Sequence, residues 1–175
     1  MKEPYAPTPR QAIFPITPEA EAAQRAAVIA EAKTWIGTPY RQLGDSKGAS
    51  IDCSMLLVRC LVDAGIFEPF DPRPYPPNWH LHKKEEKYVA WMDTIAVETR
   101  QPKAGDIVLF KYGQCFSHSG LMITPTRVVH AYAYWGFAAE SEITEVELFN
   151  RHENGKPIPR EKKFYDVWAK LKGVA

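Results

Sequence analysis

One cysteine and two histidines are the residues of this sequence whose types and spacing best suit covalent chemistry. Cys53 lies in IDCSMLLV (51–58), where an apolar helix is predicted to begin, while His118 and His130 follow far downstream in or beside predicted strands. The partial positive charge at a helix N-terminus favours a thiolate over a thiol, and a neighbouring imidazole can accept the thiol proton. The pattern predicts a cysteine nucleophile that attacks a carbonyl carbon.

The residue before Cys53 supports this role. Asp52 is a suitable helix N-cap, which places Cys53 in the first turn of the helix. Unpaired backbone amides in that turn can stabilise the oxyanion formed when a carbonyl is attacked. A free cysteine is more often a buried structural residue, so Cys53 taken alone also fits a packing role.

The two histidines are candidates for the base and for the residue that orients it. His118 follows the predicted strand 106–111 and stands at the start of the next one, so we expect it to take the thiol proton and return it to the leaving amine. His130 comes 12 positions later. Because side chains alternate along a strand, an odd-numbered hairpin loop would place both rings on one face, where His130 can hold the ring of His118. The alternatives are a surface-turn histidine at 118 and a satisfied core histidine at 130.

Tyr40 is a further candidate, because it follows GTP (37–39) in a loop just before the predicted nucleophile. Its hydroxyl fits a contact with the oxyanion or the substrate, and its ring fits a core position equally well. The remaining cysteines are weaker candidates, since Cys60 lies on the apolar stripe of its helix and Cys115 lies in a predicted loop.

A metal site is not predicted. His80 and His82 form a His-x-His pair, but no cysteine or carboxylate accompanies them at a spacing typical of zinc sites. The sequence also lacks a phosphate-binding glycine loop, so no cofactor is predicted.

The predicted elements run from helices to strands. Residues 1–17 are rich in proline and read as an extended arm or a disordered tail, and residues 18–175 as a single domain. Helices are predicted from Pro18 to about Ala32 with Thr17 as N-cap, from Cys53 to about Ala64 with Gly65 after its end, and from about Leu81 to Met92. Strands are predicted at 106–111, 119–123, 127–132, 143–148 and 164–171.

This order predicts an α+β fold in which N-terminal helices pack on an antiparallel sheet of about five strands. The proline-rich stretch 67–77 excludes a regular helix or a central strand, and we expect 67–100 to be a covering segment beside the core.

Composition limits the partners of the chain. The formal net charge of +1 gives no general electrostatic case for nucleic acid or an anionic membrane, and no apolar run approaches the ~20 residues of a membrane span. The N-terminus lacks the apolar region of a secretory signal, and three cysteines form no disulfide pattern. We therefore expect synthesis in a reducing cytoplasm without a signal peptide.

Five segments together resemble the motif series of the NlpC-type cell-wall cysteine peptidases, which have a papain-like fold. They are, in order, WIGTPY (35–40), DCS (52–54), GDIVLF (105–110), SHSGLMI (117–123) and VHA (129–131). The resemblance covers about residues 20–135. It implies hydrolysis of a peptide bond in a peptidoglycan stem, in typical members the bond between D-γ-glutamate and a diamino acid.

The resemblance also implies a role for each matching residue. Cys53 matches the nucleophile, His118 the base and His130 the third polar residue. Tyr40 matches the tyrosine at the oxyanion site, and Asp52 and Ser54 match positions that often hold substrate. Where the family commonly has glycine two residues after the cysteine, this chain has Met55, which we expect to alter substrate selectivity more than chemistry.

The chain is more similar still to one subgroup of these peptidases. The stretch PYPPNW (74–79) is similar to an insertion in members that are carried in the tails of siphophage-like particles or gene transfer agents. The chain also resembles those members in having no wall-binding module. This similarity implies tail hub or tip proteins as partners, a place at the virion tail tip, and action in the periplasm or cell wall to open a path for DNA.

Two other classes of function stay open on the sequence alone. The first is a structural or adaptor protein of the tail tip with weak or lost hydrolysis. The second is an amidase or acyltransferase on the same fold, because a thiol–imidazole pair serves acyl chemistry in general.

Overall fold

The structure is a computed structural model that describes residues 6–10, 15–75, 86–149 and 151–173. The helices are α1 (Pro18–Thr34), α2 (Cys53–Asp63), α3 (Lys87–Ile95), α4 (Ile143–Leu148) and α5 (Val167–Leu171). The strands are β1 (Asp45–Ser46), β2 (Ser50–Ile51), β3 (Val97–Thr99), β4 (Ile107–Tyr112), β5 (Cys115–Met122), β6 (Arg127–Tyr132), β7 (Phe137–Glu142), β8 (His152–Glu153), β9 (Lys156–Pro157) and β10 (Lys162–Asp166).

The central sheet is antiparallel throughout, with strand order β3-β10-β4-β5-β6-β7. The predicted α+β class is confirmed. In the described part of the chain the sheet has six strands rather than about five. The difference arises because β3 and β7 were not predicted, while one predicted strand is a helix.

Each face of the sheet buries its own apolar layer. Side chains of Ile107, Leu109 and Leu121 join the main core with α1, α2 and α3. Side chains one position away, such as Val108 and Phe110, form a second cluster under α4. This alternation follows from the two-residue period of a strand, and it explains the continuous apolar run at the start of β4, residues 107–110.

The helix boundaries follow local capping chemistry. The hydroxyl of Thr17 accepts the N–H of Ala20 at 3.1 Å, and Pro18 occupies the first turn, so the predicted start of α1 is confirmed. α2 ends at Asp63. Two residues later Gly65 adopts a φ of +80°, a backbone conformation that glycine tolerates best. α3 extends to Ile95, three residues beyond the predicted end at Met92, and 81–85 lies outside the described residues.

Two predicted strands were wrong in part or in full. Residues 143–148 form α4, because Glu142 and Glu145 make a reciprocal capping box and because Ile143 and Val146 are both buried at a helical spacing of three. The predicted strand 164–171 ends at Asp166. The Asp166 carboxylate accepts the N–H of Ala169 and starts α5.

A buried arginine joins three parts of the chain. Arg25 of α1 pairs with Glu21, with Asp106 at 2.7 Å and with Asp166 at 2.6 Å, and its guanidinium lies 4.2 Å from the ring centre of Trp168. Asp106 precedes β4 and Asp166 ends β10. The network therefore fixes α1 against the sheet, and α2 packs on α1.

The segment 67–75 and the described arm lie against the core. Phe67 and Phe70 are buried, and Phe67 bridges to Pro9 of the arm. The guanidinium of Arg73 donates to the Leu43 carbonyl at 2.9 Å. No helix within the described ranges is long and apolar enough to cross a membrane.

Candidate active site

The start of α2 is organised by Asp52. Its carboxylate caps the helix by accepting the N–H of Met55 at 2.8 Å and accepts the N–H of Leu43 at 2.7 Å. The Tyr75 hydroxyl lies 2.9 and 2.7 Å from the two carboxylate oxygens. Asp52 is 1% exposed. Its carboxylate is thus fully occupied by protein donors in this structure.

The Cys53 sulfur lies where two strands separate. Among the described residues β5 pairs with β6 only through Leu121 and Met122. The N–H of Met122 donates toward the β4 side, to the Asp106 carbonyl. Because this direction alternates along an antiparallel strand, the N–H of Ser119 points toward β6. That N–H acts on the sulfur, where it lowers the pKa of the thiol, and the Ser119 hydroxyl donates its proton to the Cys53 carbonyl at 3.1 Å.

The surroundings of Cys53 favour a neutral thiol. Burial, followed by the charge of Asp52, raises the pKa of the Cys53 thiol to about 12, and hydrogen bonds from Ser119 and Ser54 act in the opposite direction. The helix N-terminus alone would favour a thiolate. Here the loss of hydration and the adjacent carboxylate outweigh it.

His118 and His130 form a buried hydrogen-bonded pair. Nε2 of His118 lies 2.8 Å from Nδ1 of His130, and Nε2 of His130 lies 3.1 Å from Oγ of Ser141 on β7. The N–H of Ile123 donates to the Arg127 carbonyl at 2.9 Å and closes a hairpin loop of three residues, 124–126, so both rings are on one face of the sheet. His118 lies inside β5 rather than at its start, because β5 begins four residues earlier than predicted.

The hydrogen bonds restrict the tautomers. If Nε2–H of His118 donates to His130 and Nε2–H of His130 donates to Ser141, then Nδ1 of His118 remains an acceptor for a thiol proton. No hydrogen bond joins the Cys53 sulfur to the His118 ring among the described residues. The resting site therefore holds the thiol and the imidazole as separate neutral groups.

Burial also governs the charge of the histidines. It is the largest cause that lowers the pKa of His118 well below the usual value, followed by the charges of His130 and Arg160. Burial lowers the pKa of His130 to about 4. Both rings are neutral at pH 7, which is the form a general base requires.

Gly120 makes the histidine pair possible. A Cβ at position 120 would lie 2.3 Å from Cγ2 of Val128 and 3.0 Å from Cβ of His130. Only glycine therefore lets β6 approach β5 closely enough for the two imidazoles to meet.

The other predicted site residues lie around the thiol. Tyr40 is half-buried, and burial is the largest cause that raises its pKa, so its hydroxyl stays neutral. Its backbone N–H donates to the Gly136 carbonyl at 2.7 Å, which holds the loop against the β6–β7 turn. Ser54 is half-buried and hydrogen-bonds to the Cys53 sulfur.

Other residues named from the sequence lie apart from this cluster. Met55 is fully buried in the main core, so its side chain packs the helix rather than lining a substrate groove. Cys60 and Cys115 are buried too. His80 and His82 lie outside the described residues, and the described part of the chain contains no His/Cys/Asp/Glu group arranged for a metal.

Three residues of the site were missed from the sequence. Ser119 follows His118 in the motif, and strand alternation could have directed it toward α2. Ser141 lies in FAAESE (137–142), whose strand character was not recognised. Tyr75 lies in the proline-rich segment, and no local signal predicts its contact with Asp52.

The family assignment rests on these features together with a sequence comparison. The model of the NlpC/P60 family matches residues 37–145, which include every predicted site residue and more than half of the 175-residue chain. The chain belongs to the NlpC/P60 family. Among curated protein sequences, none matches it.

Solved structures share the fold. The NlpC/p60 domain of the peptidoglycan hydrolase SagA matches with a TM-score of 0.52 at 18% identity, covering 79% of this chain and 96% of that one. The peptidoglycan hydrolase RipB from Mycobacterium tuberculosis matches with a TM-score of 0.52 at 16% identity, covering 90% of this chain and 71% of that one. RipD from the same organism, described as a non-catalytic NlpC/p60 domain protein, matches with a TM-score of 0.49 at 13% identity, covering 82% of this chain and 97% of that one.

Proposed function

We propose that the protein is a cysteine endopeptidase that cleaves peptidoglycan stem peptides, at the bond between D-γ-glutamate and a diamino acid. The observation that carries this proposal is the contact of Cys53 with Ser119 of β5, next to His118, whose ring begins a hydrogen-bonded chain to His130 on β6 and Ser141 on β7. Membership of the NlpC/P60 family supports peptidoglycan as the substrate.

The first step is attack by sulfur. The Cys53 thiol gives its proton to Nδ1 of His118 as the S–C bond forms to the scissile carbonyl carbon. Because both groups rest in the neutral state, proton transfer and attack are coupled. We expect backbone N–H groups at the start of α2 and the Tyr40 hydroxyl to stabilise the oxyanion.

The second step releases the products. The tetrahedral intermediate breaks its C–N bond, and the protonated His118 gives its proton to the leaving amine. Water then attacks the thioester, with His118 as base, and frees the acid and the thiol. His130 keeps the His118 ring in position throughout and has its own ring held by Ser141.

Digestion of purified peptidoglycan tests the proposal. The protein is expected to release stem-peptide fragments, identified by mass spectrometry, and Cys53→Ser is expected to abolish release while circular dichroism shows a preserved fold. Cys60→Ala, at the other end of the same helix, serves as control and should keep activity. Undiminished cleavage by Cys53→Ser would refute the nucleophile, and cleavage at a sugar–peptide amide would indicate an amidase.

A binding protein with weak hydrolysis is the second candidate. The observation in its favour is the fully occupied carboxylate of Asp52 beside a neutral thiol. Such a protein would bind stem peptides without releasing fragments, so calorimetry on the same preparations separates the two functions.

We further propose that a phage tail carries the protein to the cell wall after synthesis in the cytoplasm. The support is the sequence resemblance of 74–79 to tail-borne members, of which only Pro74 and Tyr75 lie within the described residues. Mass spectrometry of purified particles is the test, and absence of the chain from tails would reject this route.

A further inference from the structure

Arg160 lies against the aromatic surroundings of the histidine pair. Its guanidinium carbon is 3.8 Å from the ring centre of Tyr112, and the Tyr112 ring is 5.5 Å from the His118 ring. Nη2 of Arg160 donates to the Phe149 carbonyl at 2.8 Å. One aromatic ring therefore separates this cation from the proposed base.

Arg160 has no acidic partner in the described part of the chain. Its backbone N–H donates to the carbonyl of Glu147, but the Glu147 carboxylate pairs with Lys162 instead. Arg25, Arg59 and Arg73, which are also buried or half-buried, each pair with at least one aspartate, whereas the half-buried Arg151, like Arg160, has no salt bridge within the described residues. Arg160 is thus a partly buried cation that pairs with no carboxylate among the described residues.

One polar atom of this cluster also lacks a partner. Nε of Arg160 is buried without a hydrogen bond, while the hydroxyls of Tyr112 and Tyr132 interact with each other. The Tyr132 ring is 4.9 Å from the His118 ring and 5.7 Å from the Tyr112 ring. Buried polar groups are normally satisfied, and a guanidinium is shaped to bind a carboxylate through two nitrogens.

We propose that Arg160 is a specificity-determining residue that binds a free carboxylate of the substrate peptide next to the scissile bond. This inference rests on the proposed function and names the group that the site recognises. A γ-linked glutamate keeps its α-carboxylate free, and a diamino acid carries a carboxylate as well. Either group would balance the charge of Arg160 while the scissile carbonyl meets the sulfur.

Calorimetry with synthetic γ-D-glutamyl–diamino acid peptides tests the proposal. The protein carries Cys53→Ala, so that peptide binds without turnover. Three peptides are compared, one with both carboxylates, one amidated at the glutamate and one amidated at the diamino acid. Arg160→Gln is expected to weaken binding of the first peptide roughly 10- to 100-fold, the size of a lost charge-assisted hydrogen bond. It should leave unchanged the peptide that lacks the recognised carboxylate, and so identify which carboxylate is bound.

Two further variants separate recognition from folding. Arg160→Lys keeps the charge without the planar fork and should weaken binding to an intermediate degree. Arg127→Gln removes an arginine that pairs with Glu140 and Glu142 and should not change the peptide preference. Equal weakening for all three peptides, or a parent protein indifferent to amidation, would overturn the proposal. If the parent protein, with Cys53 intact, binds the peptides in a carboxylate-dependent way but does not cleave them, the proposed hydrolysis is refuted and the proposed recognition stands.

Discussion

At the residue scale, the charge state of Cys53 results from opposing local effects. The first turn of α2 and the donors on Ser119 and Ser54 favour a thiolate, whereas burial and the Asp52 carboxylate favour a thiol. The effects of burial and of the Asp52 carboxylate on the thiol pKa are larger than those of the helix turn and the serine donors. A nucleophile in this state is activated during attack, through His118, rather than before substrate arrives.

Thiol labelling measures this balance. At neutral pH we expect iodoacetamide to label Cys53 at least ~10-fold more slowly than a free thiol of pKa ~8.5, because little thiolate is present. Asp52→Asn should accelerate labelling, since it removes the adjacent charge while an asparagine still caps the helix.

Asp63→Asn, at the far end of α2, is the matched control and should leave the rate unchanged. Peptide mass spectrometry separates the Cys53 adduct from adducts of the buried Cys60 and Cys115. Rapid labelling of the parent protein would show that Cys53 and His118 rest as an ion pair, in contradiction to the structure.

At the scale of elements, the contact between β5 and β6 decides whether the histidines meet. Both rings project from neighbouring strands that separate toward the start of α2. Gly120 sets the distance between β5 and β6, because Val128 of β6 and the Cβ of His130 occupy the space that a side chain at position 120 would need.

Gly120→Ala is expected to destabilise the fold by about 1–3 kcal/mol, the usual cost of overpacking, and to reduce activity by displacing His130. Val128→Ala removes the atom at 2.3 Å and should recover part of the loss in the double variant. Urea unfolding of the four proteins gives the coupling energy, and strict additivity would mean that the close approach is relieved elsewhere.

The Arg25 network is the second contact between elements that determines the site. Arg25→Met leaves the fully buried Asp106 without its cation, and we expect a loss of about 3–5 kcal/mol. Combination with Asp106→Asn should restore part of that stability. Arg127→Gln breaks an exposed ion pair and should cost under ~1 kcal/mol in the same urea experiment. A similar small cost for Arg25→Met would show that the network does not hold α1 in place.

At the scale of the whole molecule, the buried histidine pair makes folding depend on pH. The native state keeps the pKa of His130 at about 4, while the unfolded chain has the ordinary value near 6.5. Between these values the unfolded chain binds a proton that the native state does not. The contribution of the neutral His130 to the free energy of unfolding is therefore fully present above pH 6.5 and is lost as the pH falls toward 4.

His130→Asn should reduce this loss, because asparagine does not titrate and still offers an acceptor to His118. The shift of His130 corresponds to about 3 kcal/mol between neutral pH and pH 4, at 1.36 kcal/mol for each pKa unit. Urea unfolding at several pH values measures the difference between the parent and the variant. Identical slopes for the two proteins would show that His130 titrates normally in the native state.

Much of the architecture could be predicted from the sequence because it depends on local chemistry. Thr17 and Pro18 start α1, Asp52 starts α2, and the spacing of apolar residues identifies β4 and β6. Residues 143–148 were mistaken for a strand, because ITEVEL satisfies both periods and only a capping box resolves them.

Residue types, capping and periodicity were enough to indicate the residues suited to the chemistry, the α+β class, and the condition under which His118 and His130 share a face. Three contacts emerged only from the folded arrangement: Ser141 completes the histidine pair, Ser119 bonds to Cys53, and Tyr75 donates to the Asp52 carboxylate. Periodicity and capping act over a few neighbouring residues. Contacts between distant segments, and the burial that makes the Cys53 thiol neutral, depend on how the sheet, α2 and the covering segment pack together.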